Sequence, residues 1–138
     1  MERARDPLRE RIERAADGLV YSRDANRPFE FRRFPGVTIP VGRLSPTELA
    51  SLAGARGGEV REVTLDELFA RHIERANAHQ SETQQLVPRY QALRDVIRES
   101  FDDVRVVRHG RTEVRCLVLG NDPASGEVVG VETLALEI

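Results

Sequence analysis

Apolar residues recur at helical spacing at the start of the chain. Leu8, Ile12 and Ala15 (with Ala16) share one side of residues 4–17, and Arg9, Arg11, Glu13 and Arg14 cover the other. Gly18 then supplies a left-handed end to that helix. A short extended piece, Leu19 to Tyr21, leads into Ser22-Arg23-Asp24-Ala25-Asn26-Arg27, which has no periodicity and is rich in turn formers. From Pro28 to Phe34 the period drops to two. Phe29 and Phe31 fall on one face and Glu30 and Arg32 on the other, until Pro35-Gly36 stops the strand.

Ser45-Pro46-Thr47-Glu48 is a capping box with proline at the first helical position, and it opens a short helix that ends at Gly54. Gly57-Gly58 is a turn, and Glu59 to Val63 alternates as a strand does. A second capping box, Thr64-Leu65-Asp66-Glu67, predicts a helix through about Ala76. Residues Ser81 to Ser100 read as a longer helix, with Val87, Tyr90, Leu93 (or Arg94) and Ile97 along its inner stripe. Pro88 either kinks that helix or marks its effective start.

The last third of the chain is a meander. Val104 to Val107 and Thr112 to Leu119 are strands around the turn His109-Gly110-Arg111. The loop Asn121 to Gly126 separates them from a third strand, Val128 to Leu136. Val114, Cys116 and Val118 alternate with Glu113, Arg115 and Leu117. Strands joined by short turns pair antiparallel. With the strand around Phe29–Phe34 they predict an α+β fold, one mainly antiparallel sheet with helices packed on it.

Length and composition narrow this further. A chain of 138 residues, 40% hydrophobic and 32% charged, is expected to form a single soluble domain spanning 1–138. No apolar run reaches the roughly 20 residues of a membrane span. Met1-Glu2-Arg3-Ala4-Arg5-Asp6 has no apolar segment behind it and predicts no secretory signal. A lone Cys116 fits a reducing cytoplasm, which is the expected location. All 21 basic residues are arginine, yet the net charge is −2 and acidic neighbours are interspersed. Direct nucleic-acid binding, which calls for a clustered basic surplus, is not expected.

Candidate chemistry is thin. His72 and His79 lie on a predicted helix and its flank, His109 lies in a turn, and no metal-binding spacing joins them. Cys116 reads as a buried structural thiol between Val114 and Val118. Asp102-Asp103 falls at a helix-to-strand junction, where turn formation accounts for it. Phosphate loops, nucleophile elbows and dinucleotide fingerprints are all missing. The chain is not expected to be an enzyme.

Three segments in order carry a resemblance: Ala16-Asp17-Gly18 through Pro28-Phe29-Glu30, Pro88-Arg89-Tyr90-Gln91-Ala92-Leu93, and Gly126 to Ile138. Together they resemble the nuclease A inhibitor family, from about Leu8 onward. The resemblance implies an αβα sandwich and a cytoplasmic immunity protein. Its partner would be a magnesium-dependent, sugar-non-specific DNA/RNA endonuclease, with no cofactor or metal of its own. Two contact points are implied. Asp24 corresponds to an acidic residue that enters the nuclease's substrate cleft. Glu137 and Ile138 stand where the family places a terminal threonine near the catalytic magnesium. Isoleucine lacks the hydroxyl, which leaves the α-carboxylate of Ile138 or the Glu137 side chain, both hard oxygens suited to magnesium. Arg75-Ala76-Asn77-Ala78-His79 has no aromatic where the family presents one. An interface aromatic is commonly worth about 2 kcal/mol or more. The alternative is a protein- or ligand-binding domain of the same fold without inhibitory activity.

Overall fold

The computed structural model describes residues 6–19, 29–55, 60–70 and 87–136. The elements are α1 (Pro7–Ala16), β1 (Glu30–Phe34), a 3-10 turn (Val41–Arg43), α2 (Pro46–Ala53), β2 (Arg61–Val63), α3 (65–70), α4 (Val87–Ser100), β3 (Asp102–His109), β4 (Glu113–Asn121) and β5 (Val128–Leu136). Asp6 starts α1. Its side chain accepts from the Arg9 amide at 3.1 Å, and Pro7 fills the first turn. Both predicted capping boxes form: Ser45 with Glu48 and Thr64 with Glu67 exchange side-chain and backbone bonds. Gly54 closes α2 at φ +74°.

The five strands make one antiparallel sheet in the order β1-β5-β4-β3-β2. The expected meander is its centre, and the N-terminal strand lies at one edge against the last. The α+β expectation holds, and the layering is α/β/α. On one face, Ile12 of α1, Phe69 of α3 and Leu93 and Ile97 of α4 pack on Val106 and Val118. On the other, Val41, Leu49 and Ala53 pack on Val107, Leu117 and Leu119. The second layer explains why Leu117 breaks the apolar-polar alternation: both sides of β4 are covered there, and a strand covered twice is apolar on both faces. Arg105 holds this layer down. It is bidentate to Glu62 and donates to the carbonyls of Val41 and Leu44 at 3.1 and 2.7 Å. The Arg105 guanidinium also holds the Glu62 carboxyl below its ordinary value.

Asp102-Asp103 is not a turn but the start of β3. Its register on β4 shifts between Asp102 and Arg105, and Asp103 takes φ +53°. This bulge absorbs the sharp change of direction out of α4. His109, read from sequence as a turn residue, ends β3, and its Nε2 donates to the Ala53 carbonyl at the end of α2 at 3.0 Å.

Arg33 is the electrostatic hub of the opposite end of the sheet. It pairs with both carboxylate oxygens of Asp6, at 2.7 and 2.6 Å, and reaches Asp122 at 3.1 Å and Glu127 at 3.2 Å. The Arg33 hydrogen bonds hold the Asp6 carboxyl down at about 2, against an ordinary 3.8, and raise Arg33 itself. A depressed carboxyl stabilises the fold above its unfolded value, and the contribution disappears as pH falls through the folded one. At pH 6, Asp6→Asn is therefore expected to cost about 2 kcal/mol in urea denaturation. The gap between variant and parent should close between about pH 4 and pH 2. A gap independent of pH would assign Asp6 a capping role alone.

Candidate partner-binding site

One end of the sheet gathers the attachment points of two of the segments that the sequence marks for binding. β1 begins there, with Glu30 paired to Glu132 of β5. β5 runs out at Leu136, paired to Glu113 of β4. Leu136 lies four residues beyond Glu132, on the order of 13 Å along the strand. The chain that enters β1 and the chain that leaves β5 thus depart from adjacent strands at the same end. Asp24 belongs to the first stretch and Glu137 and Ile138 to the second, and all three lie outside the described residues. So do His72, His79 and the whole Arg75–His79 stretch.

The described frame around these attachment points is firmly built. Phe29, immediately before β1, is buried and stacks on Phe69 of α3, with centroids 6.1 Å apart and planes 11° from parallel. The end of α1 is clamped to the start of α4 by Arg89, whose Nη2 donates to the Asp17 carbonyl at 2.6 Å. A guanidinium at a helix C-terminus also meets the negative end of its dipole. Gly18 follows at φ +76°, with Leu19 turned into the core behind it. The β3–β4 turn completes this end. Gly110 sits at φ +111°, where any Cβ would lie 2.0 Å from the Glu113 carbonyl oxygen, so only glycine closes the turn this tightly.

The electrostatics here are mixed rather than basic. Glu132 is half-buried between two arginines: it pairs with Arg32 from β1 and with Arg115 from β4 at 3.8 Å. The Arg32 guanidinium also lies over the Phe34 ring, 5.0 Å from its centroid. These residues were visible in the sequence only as the outward half of alternating strands. Their meeting depends on the β1–β5 pairing, which nothing local specifies.

The described residues assemble no catalytic constellation. Among them, no group of three or more His, Cys, Asp or Glu side chains is placed to hold a metal ion. Cys116 is buried at 1% exposure, as the alternation implied. His109 is engaged with the end of α2. Among the described residues, no helix is long and apolar enough to cross a membrane.

Comparison with known proteins agrees with the frame. No curated protein matches the chain. A family model described as nuclease A inhibitor-like protein matches residues 6–138, beginning at the Asp6 that caps α1 and running through the last strand. On that match the chain belongs to the nuclease A inhibitor-like family.

Proposed function

We propose that this chain is a cytoplasmic protein inhibitor of a magnesium-dependent, sugar-non-specific endonuclease. It acts without catalysis and without a cofactor, by occluding the nuclease's substrate cleft. A non-specific nuclease must hold a polyanion, so its cleft is basic and contains a divalent cation. Asp24 takes the position of a substrate phosphate, and oxygens of Glu137-Ile138 approach the cation. The producing cell is thereby protected from its own nuclease.

The observation that carries this reading is the register of β1 on β5 in a chain of this family. Glu30 opposite Glu132 brings the roots of the Asp24 and Glu137-Ile138 segments to one end of two neighbouring strands. Two segments rooted together fit within one interface patch, for which about 800 Å² per partner suffices.

The test is cleavage of plasmid DNA by a purified magnesium-dependent non-specific nuclease of the same organism, titrated with this protein. Inhibition is expected to be complete near one-to-one. Asp24→Ala, and separately removal of Glu137-Ile138, should each raise the half-inhibiting concentration about tenfold or more, the scale of a lost close charge contact. Full nuclease activity at equimolar protein, with no complex on gel filtration, would sink the proposal. The remaining reading would then be a protein- or ligand-binding domain of the same fold.

A further inference from the structure

Among the described residues, the second face of the sheet is covered over only part of its length. The 3-10 turn and α2 lie on Val107, Leu117, Leu119 and Val128. Towards the start of β1 and the end of β5 the same face carries Glu30, Arg32, Glu113 and Arg115, all exposed, around a half-buried Glu132. Within this half-face two carboxylates face each other across the β1–β5 pair. Glu30 is the direct cross-strand partner of Glu132. Like charges at such a position repel across about 5 Å and destabilise the pairing. Both arginines of the half-face turn to Glu132, and Glu30 forms no ion pair with any described residue. A carboxylate thus stands opposite another carboxylate while both arginines of the half-face are engaged with Glu132. It stands at the end of the sheet from which the Asp24 and Glu137-Ile138 segments depart.

We propose that Glu30 and the open half-face around it form a further contact for the nuclease, with the Glu30 carboxylate pairing with a basic side chain on the rim of its substrate cleft. The inference rests on the inhibitor reading and adds to it a residue and a surface. Two arguments fix the occupant. The surplus negative charge complements the basic surround of a polyanion-binding cleft. The half-face is also continuous, through β1 and β5, with the roots of the two segments assigned to that cleft. The Arg32–Glu132–Arg115 chain lies beside it, and Glu30 is the first residue of β1, so it meets its partner from a strand and not from a loop.

Glu30→Gln separates this role from a structural one. Removing the like-charge pair is expected to leave the thermal midpoint unchanged or raised. It should weaken inhibition of the same nuclease about tenfold, with a shallower dependence on salt. Glu30→Arg should weaken inhibition further while remaining folded, because it creates an ion pair with Glu132. Parent protein that inhibits alongside an equally potent Glu30→Gln variant would overturn this inference and leave the inhibitor reading standing. Parent protein that fails to inhibit would remove both. Weakened inhibition accompanied by a fall of several degrees in the midpoint would make Glu30 structural and overturn the contact. A dimer dissociated by Glu30→Arg, with inhibition intact, would reassign the half-face to a second copy of this chain.

Discussion

Truncation of Phe69 to alanine is expected to lower the stability of the fold by about 3–5 kcal/mol, the range for removing a buried aromatic. Phe69 is fully buried, and its ring stacks on that of Phe29. The substitution therefore removes both transfer energy and an aromatic pair, and it opens a cavity between α3 and the entry to β1. Folds of this size hold roughly 5–15 kcal/mol in all, so the variant would be marginal near body temperature. Urea denaturation would show a lower midpoint with an unchanged slope. Phe69→Leu, which refills most of the volume, should recover at least half of the loss. Equal losses for the two variants would mean that the pocket tolerates no aliphatic shape and that stacking geometry dominates.

Asn121→Ala should cost about 3 kcal/mol by a different route, the loss of hydrogen bonds in the interior. Asn121 is buried at the end of β4. Its Oδ1 accepts from the Val41 amide at 2.8 Å, and its Nδ2 donates to the carbonyls of Ile39 and Gly126, each at 3.2 Å. One side chain thus joins the loop before the 3-10 turn, the last residue of β4 and the β4–β5 loop. Alanine strands the Val41 amide, a buried donor with no replacement nearby. Asn121→Asp is the sharper comparison. It keeps the acceptor for Val41 but presents an oxygen to two carbonyl oxygens and adds a buried charge, so it should be no more stable than the alanine variant. A stable aspartate variant at pH 7 would show that the Val41 bond carries nearly all of the effect.

Much of the fold was legible because it was encoded locally. Val128 to Leu136 is a strand over that same span, and both capping boxes make the bonds that their spacing implies. Asp6 caps α1, and Asp6-Pro7 is a start signal that the apolar spacing of Leu8, Ile12 and Ala15 does not itself display. The 3-10 turn at Val41–Arg43 had no period to announce it, and its Val41 is nonetheless buried. Arg33 shares its strand face with the buried Phe31. Its place on an edge strand lets the guanidinium turn back to Asp6, Asp122 and Glu127. The Glu30–Glu132 opposition was not readable at all, since it follows from pairing between strands at the two ends of the sequence. Asp24, Glu137 and Ile138 came from family resemblance and lie outside the described residues, so they stand as targets for mutagenesis.

The strand order has a consequence for how the chain comes to be folded. β3, β4 and β5 are joined by short turns and can pair as soon as they exist, whereas Arg32 of β1 meets its Glu132 partner across 100 residues of sequence. Closing so long a loop is entropically slow, and it precedes any gain from the contacts it allows. On a ribosome, β1 emerges early and must wait unpaired for β5. The meander with α4 is then the natural nucleus, and β1 docks last. A chain truncated before β5 would leave its N-terminal strand without a neighbour in the sheet. A nascent chain would therefore acquire this edge of the sheet only once β5 has been made, all at once rather than by degrees.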